Sequence, residues 1–469
     1  MRTDVPSAGR PIPPEWRARA PAMTERAWAG LARVLEHVDA PRYNRTLGDR
    51  VGAPELAALE RMRVALATAP READLAPSSR IADLVEGLRA RLWLLDDLPD
   101  GFDAARDFEH LPTTDRDAIV QRLHHLVPRD LPLDDAIVYS TSATTGHAMI
   151  VPSHPSAMVQ NLAHLERLAA LHGVTLDPRE GEPAAINASM QRQTYVFATT
   201  MSGWRGAVFV KVNLAPHDWG GGEASRARFL ADVAPMFVAS EPVTLSEAVR
   251  LELPLRPRLV VSSAVALPAA VAARVRDAWG AAVVDLYSTT ETGPIAATVP
   301  GIDGHVVLMP DLYVEALDPH GVRVPDGERG ELTVTGGRNP FLPLVRYRTG
   351  DHGRLATVTL PDGTRARVIR DLEGRPPVTF RATDGAPITS VDIARRLRPI
   401  APFVQHALHQ RADGAVELRL RPLPGVPLPR EDFAHVLHDL FGKDARVTVV
   451  VDPALGSGGS KVVAWRSDR

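Results

Sequence analysis

The chain contains no cysteine. This excludes disulfides, thiolate-bound metals and a cysteine nucleophile, and it fits a reducing cytoplasm. Lysine is almost as scarce. Only Lys211, Lys443 and Lys461 stand among 54 basic residues, the others being arginine. A compact ammonium kept against that background marks places where a guanidinium would not serve, although three lysines also fit chance. No apolar run approaches the roughly 20 residues that span a bilayer. The opening MRTDVPSAGRPIPPEWRARAPAM lacks the apolar core of a secretory signal. No membrane partner is therefore expected. Nor is nucleic acid, because a formal charge of -3 over 469 residues leaves no basic excess. The phosphate-loop pattern GxxxxGK[ST] and the hydrolase pattern GxSxG are both missing. Repeats and low-complexity tracts are missing too.

What remains is long enough for two domains. Residues 1–25 read as a loose lead-in. Helical spacing follows, with Trp28, Leu31, Val34, Leu35 and Val38 on one face and Ile81, Leu84, Val85 and Leu88 on another. A strand-like run at 136–139 leads into a hydroxyl-rich loop and then a helix over about 155–172. Residues 258–262 predict a buried strand, 268–279 a helix opened by Pro268 and closed by Gly280, and 281–287 a second strand. Strand, helix and strand in that order predict a parallel βαβ unit, with Ser288-Thr-Thr-Glu291 beyond the strand's carboxyl end. From 304 to 374 the texture changes to hairpins, with strands expected at 306–317, 331–335 and 355–360 and turns at Pro325-Asp-Gly327 and Pro361-Asp-Gly363. These predict a barrel-like, β-rich appendage. Beyond Glu373-Gly-Arg-Pro-Pro377 the order strand, helix, strand, strand, helix, strand predicts a small split βαβ domain. The fold class expected is α/β: a large N-terminal domain with parallel-type sheets and a β-rich appendage, plus a small mobile C-terminal α+β domain. The boundary is placed between 374 and 375.

Four segments carry chemistry. Ser140-Thr-Ser-Ala-Thr-Thr-Gly-His147 offers hydroxyls and backbone N–H groups that can cradle phosphate. Thr290 and Glu291 at a strand end can hold a phosphate and a Mg2+ ion. Asp351, after Thr-Gly, can accept hydrogen bonds from two vicinal sugar hydroxyls. Lys461, in Gly-Ser-Gly-Gly-Ser-Lys, can neutralise charge on a leaving pyrophosphate. Each alone reads equally well as a surface turn, a loop carboxylate or a solvated tail lysine.

Taken in order, these segments resemble the adenylate-forming superfamily of acyl-CoA synthetases, luciferases and adenylation domains. Thr141-Ser-Ala-Thr-Thr-Gly-His147 is similar to its TSGTTGK loop. Tyr287-Ser-Thr-Thr-Glu291 is similar to YGxTE, and Gly327-Glu-Arg-Gly-Glu-Leu332 to GExGEL. Gly374-Arg375 matches the GR of its hinge, and Lys461 its C-terminal lysine. Within it, the run Pro343-Leu-Val-Arg-Tyr-Arg-Thr-Gly-Asp351, with Ala40-Pro-Arg-Tyr-Asn-Arg45 and Leu111-Pro-Thr-Thr-Asp-Arg116, resembles the phenylacetate–CoA ligase branch.

The resemblance implies an AMP-forming ligase that uses ATP and Mg2+ to activate a small carboxylic acid, aryl or arylacetic, and passes it to CoA. Domain 1–374 would be the adenylation domain and 375–469 its lid. Thr141, Ser142, Thr144, Thr145 and Gly146 would cradle the ATP phosphates. Thr290 would contact the adenylate phosphate, Glu291 would ligate Mg2+, and Asp351 would bind the ribose. Tyr287 would stack on adenine, Arg375 would help hold the nucleotide, and Lys461 would bridge carboxylate and phosphate. The acid would lie near Met190, Tyr195, Phe197, Trp204 and Val265. Ala143, His147, Ser288 and Pro376-Pro377 depart from the family pattern, and two prolines stiffen a pivot. An amine or a carrier-protein thiol as acceptor therefore stays open beside CoA, as does a non-catalytic nucleotide-binding homologue.

Overall fold

The computed structural model describes residues 11–68, 77–134, 136–140, 149–190, 194–308, 310–360, 362–374, 378–397, 399–457 and 462–469. Helices α1 (Pro14–Arg19) and α2 (Glu25–Leu35) open the chain, α2 being capped by Thr24, which accepts from the Ala27 N–H at 3.1 Å. The loose lead-in expected over 1–25 is corrected for residues 11–25; residues 1–10 lie outside the described residues. Ile12, Trp16, Ala20 and Met23 recur every three or four residues and bury together in the main core, the Trp16 ring 5.5 Å from that of Trp28. Apolar spacing overrides the proline- and arginine-rich composition. The same spacing overshoots at the far end of α2, where the helix stops at Leu35 and Val38 is 93% exposed. Helices α3 (Ala53–Thr68), α4 (Ser79–Leu88) and α5 (Arg116–Leu126) precede a short hairpin, β1 (Ile137–Ser140) and β2 (Ile150–Ser153), and the long helix α6 (Pro155–Leu171).

Next come β3 (Pro183–Ser189), β4 (Phe197–Met201), β5 (Ala207–Asn213), α7 (Gly222–Val233), β6 (Phe237–Ser240), α8 (Pro242–Arg250), β7 (Leu259–Ser262), α9 (Ala269–Trp279) and β8 (Ala282–Thr289). Strands β5, β3, β6, β7 and β8 run parallel, with core packed on both faces. Burial on both faces is why β7 reads as an unbroken apolar run. Helix α9 begins after Pro268 and stops at Gly280, whose φ of 65° suits glycine.

Strand β8 joins two regimes. Its residues 282–285 pair in parallel with β7, and its residues 286–289 pair antiparallel with β9 (Gly293–Thr298). Beyond β9 the β-rich appendage continues the same ladder through β10 (His305–Val307), β11 (Leu312–Leu317), β12 (Arg329–Gly336), β13 (Leu344–Thr359) and β14 (Arg365–Glu373). The full order is β11-β12-β13-β14-β10-β9-β8-β7-β6-β3-β5-β4. The strand expected over 306–317 is broken in two. Pro310 interrupts it, and Arg338 grips the Asp311 carboxylate at 2.6 and 2.9 Å, sending β11 to the sheet's edge. The ladder is open yet rolled. Four strand spacings at about 4.8 Å would separate β8 from β13 by roughly 19 Å in a flat sheet, whereas the Tyr287 hydroxyl lies 2.8 Å from the Asp351 carboxylate.

The C-terminal part comprises β15 (Thr379–Arg381), β16 (Pro387–Thr389), α10 (Ser390–Leu397), β17 (Phe403–Gln410), β18 (Val416–Pro422), α11 (Arg430–Phe441), β19 (Val447–Val451) and β20 (Trp465–Ser467). It has its own core around Phe380, Ile393, Leu418, Phe433 and Phe441. The βαβ unit β18-α11-β19 pairs adjacent parallel strands, so it is not split, and β20 adds in parallel to β17.

Within the rolled sheet, Arg346 pairs with Glu315 at 3.2 Å, the two side chains being 3% and 1% exposed. Arg346 also donates to the carbonyls of Leu111 at 3.1 Å and Gly321 at 3.1 Å. Truncating one member of such a pair strands the other charge in the interior. We expect Glu315→Ala to lower unfolding stability by about 3–5 kcal/mol in urea titrations, and a volume-matched Glu315→Met, Arg346→Leu double variant to recover much of that loss.

Candidate functional site

The site forms where β8 leaves the parallel strands. The Thr292 N–H donates to the Thr289 hydroxyl at 3.1 Å, and Gly293 at φ 70° completes the bend into β9. The turn leaves Thr290 exposed, and no hydrogen bond among the described residues engages its hydroxyl. Glu291, next along, is half-buried. Its Oε1 accepts from the Tyr347 hydroxyl of β13 at 2.7 Å.

The reverse contact is made by the other strand's carboxylate. Tyr287 of β8 donates to Asp351 Oδ2 of β13 at 2.8 Å and lies 3.3 Å from the Thr349 hydroxyl. Thr349 in turn donates to the Leu332 carbonyl at 2.8 Å and accepts from the Asp351 N–H at 3.1 Å. Each strand thus supplies a tyrosine to a carboxylate across the gap, Tyr287 to Asp351 on β13 and Tyr347 to Glu291 in the turn after β8.

The bend that presents Asp351 rests on Gly350 at φ 78° and on Glu331, which accepts from the Gly350 N–H at 3.1 Å and from Arg348 at 2.7 Å. Glu331 follows Gly330, where a Cβ would lie 2.9 Å from the β11 backbone, so only glycine fits. The motifs 327–332 and 346–351 are one physical unit. The chain returns past it at Gly374, where a Cβ would sit 3.5 Å from Asp351 Oδ1.

Behind the Glu291 turn, Arg338 donates to the Pro294 carbonyl and clamps Asp311 against His164. Burial pushes the Asp311 carboxyl up, but Arg338 and His164 outweigh it and hold the group far below its ordinary range. Asn339 donates to the Pro152 carbonyl at 2.8 Å and accepts from the His154 N–H at 3.1 Å. The hairpin that carries residues 141–148 is thereby fastened beside the Glu291 turn. A small cavity there is lined by Glu291, Thr292, Arg338 and Asn339.

Of the residues singled out from sequence, Tyr287, Thr290, Glu291 and Asp351 come together. Thr141, Ser142, Thr144, Thr145, Gly146, Arg375 and Lys461 lie outside the described residues. Among the described residues no group of three or more His, Asp or Glu side chains could hold a metal alone. A single carboxylate at Glu291 does suit Mg2+, which takes one or two protein carboxylates and completes its shell with phosphate and water. Trp204, considered for an acid pocket, is ordinary core. It is 1% exposed, T-shaped to Phe237, and donates to Glu166 at 2.9 Å. Tyr195 is 57% exposed beneath Arg45. Sequence reading missed Tyr347, Arg338 and Asn339. Tyr347 sat unremarked inside a quoted motif, and Arg338 and Asn339 carried no signal beyond being polar residues between Gly336-Gly337 and Pro340.

Burial, followed by the neighbouring carboxylate, pushes the hydroxyls of both Tyr287 and Tyr347 well above the ordinary tyrosine range. Their folded values being raised, the stability they contribute is intact below about pH 10, the unfolded value, and is lost as pH climbs from there toward the folded values. In an alkaline ultraviolet titration of the native protein, Tyr347→Phe should leave the amplitude unchanged and should move the high-pH unfolding midpoint.

Comparison with known proteins bears on this geometry. Residues 62–339 match the family model described as AMP-binding enzyme. A phenylacetate-coenzyme A ligase of Aromatoleum evansii is 32% identical over 203 residues, covering 39% of this chain and 44% of the relative. The phenylacetate-coenzyme A ligase of Escherichia coli (strain K12) is 25% identical over 273 residues, covering 55% and 60%. The chain spans about half the length of these curated relatives. Among solved structures, 2-hydroxyisobutyryl-CoA ligase in complex with R3-HIB-AMP shares the fold at a TM-score of 0.62 and 18% identity, over 83% of this chain and 88% of that one.

Proposed function

This chain belongs to the AMP-binding enzyme family, and from that premise we propose that it activates a carboxylic acid with ATP as the acyl-adenylate and transfers the acyl group to CoA. The observation that carries this reading is the crossed pair. Tyr287–Asp351 and Tyr347–Glu291 set two carboxylates, and the hydroxyl of Thr290 that no described residue engages, at one mouth of the rolled sheet. That is the donor and acceptor set a nucleotide needs. Asp351 accepts from the ribose hydroxyls, Thr290 donates to the α-phosphate, and Glu291 would hold a Mg2+ ion. A Mg2+ ion bound there would neutralise charge on the departing pyrophosphate. The Tyr287 ring lies against adenine while its hydroxyl stays on Asp351.

The hydroxyls of Thr141, Ser142, Thr144 and Thr145 and the Gly146 backbone take the β- and γ-phosphates. Arg375 supports the nucleotide from the hinge. A carboxylate oxygen of the acid bonds to the α-phosphorus as the bond to pyrophosphate breaks. Little proton transfer is required, so positioning and charge stabilisation dominate, with Lys461 supplying the ammonium. The CoA sulfur, its thiol proton lost to solvent, then bonds to the acyl carbon and AMP leaves. Residues 1–374 form the adenylation domain and 375–469 the lid that turns between the steps. The likeness to phenylacetate-coenzyme A ligases supports an aryl or arylacetic acid. Pro376-Pro377 in the hinge favours a second reading of the acceptor, an amine or a carrier-protein thiol.

A panel of carboxylic acids assayed for pyrophosphate release, with and without CoA and amines, tests this directly. Failure of every acid in the panel to release pyrophosphate would remove the activity, and a product from amines but not CoA would replace the acceptor. Lys461→Ala should lower adenylate formation by about 10²–10³ while leaving transfer from a supplied adenylate in place. An unchanged first step would end the assignment of Lys461.

A further inference from the structure

The C-terminal part does not merely touch the large one. Val404 of β17 and Leu423 after β18 are buried in the same core cluster as Leu253 and Leu255, with Val426 packed against it. At the rim of this apolar seat stands Arg421 of β18, 5% exposed on its side chain, facing Glu247 of α8, 14% exposed. Arg421 Nη2 donates to Glu247 Oε1 at 2.9 Å. Its other terminal nitrogen donates to the Leu455 carbonyl at 2.9 Å and the Ser457 hydroxyl at 3.0 Å. Glu247 is oriented from behind by Arg250, whose Nε lies 2.8 Å from Oε2. One planar guanidinium therefore binds the large part with one nitrogen and, with the other, the chain segment that ends four residues before Lys461.

We infer that Arg421 is a positioning residue that makes seating of the C-terminal part on α8 and the course of residues 455–457 a single event. The physical reason is the cost of stranding a buried charge. If the seat opens, Glu247 departs and the guanidinium loses its only carboxylate partner among the described residues. A guanidinium left so must turn toward solvent, and its bonds to Leu455 and Ser457 go with it. Conversely, a loop released at 455–457 frees the side chain to swing away from Glu247. The bearing on Lys461 rests on the adenylation reading above; the coupling itself does not.

The absence of native cysteine makes the test clean, since two engineered cysteines carry the only labels. Nitroxides at Ala57→Cys on α3 and Glu431→Cys on α11, both exposed positions, report the seat. Amide exchange at Leu455 and Ser457, whose N–H groups bond to the Asp452 and Ala454 carbonyls, reports the loop. In Glu247→Gln, which keeps shape and removes charge, the label distances should broaden, and exchange at both amides should rise about tenfold or more. Unchanged exchange in β17 and β18 confirms the fold. A broadened seat with the loop still protected, a faster loop with unchanged distances, or no change in either overturns the coupling. In the same variant, pyrophosphate release should lose kcat at constant KM for ATP, because the groups at the nucleotide mouth are untouched. A wild-type protein that releases no pyrophosphate would sink the functional reading while the distances and exchange still decide the latch.

Discussion

Two tyrosine hydroxyls crossing between β8 and β13 are what turn an extended ladder into a site. Tyr287 reaches from β8 to Asp351, and Tyr347 reaches back from β13 to Glu291. The strands between them would hold these residues far apart on a flat sheet, so the contacts exist only because the sheet rolls. Each buried phenol needs an acceptor and each half-buried carboxylate needs a donor, so satisfying one group satisfies the other. Loosening either pair would take one hydrogen-bond partner from both members and would free the two ends of the mouth to drift.

The supports behind this mouth follow the same economy of buried charge. Arg346 with Glu315 and Arg338 with Asp311 are interior ion pairs whose remaining donors go to backbone carbonyls. Such pairs add little net stability but impose one geometry, because any rearrangement leaves a charge uncompensated. Thr114, in the segment 111–116, donates to the Arg346 carbonyl at 3.1 Å and its own carbonyl accepts from Arg348 at 2.7 Å. An early stretch of chain is thereby laid along the strand that carries Asp351.

Much of this was legible beforehand for stated physical reasons. The βαβ unit around α9 was readable because Pro268 and Gly280 punctuate it and β7 is apolar throughout. The turns at Gly327 and Gly363 were readable because glycine adopts the positive φ found at both. The break between β10 and β11 was only half legible: Pro310 marks it, but Arg338, which grips Asp311 beside it, is remote in sequence. The seating of Trp16 was hidden by the prolines and arginines around it. Of the site, Tyr287, Thr290, Glu291 and Asp351 stood out by residue type and motif, while Tyr347 and Asn339 act through partners that only folding brings near.

The sequence by itself offered the candidate side chains for a nucleotide and the order of most elements, because periodicity, turn residues and motif chemistry are local. It also settled that no cysteine thiol of the chain takes part. Only the tertiary structure decided that β8 changes partners halfway, that its end curls back against β13, and that Arg421 binds two parts of the chain at once. Those outcomes depend on sheet curvature and on where buried charges find their counterparts. Both are properties of contacts between residues far apart in the chain, and no local pattern encodes them.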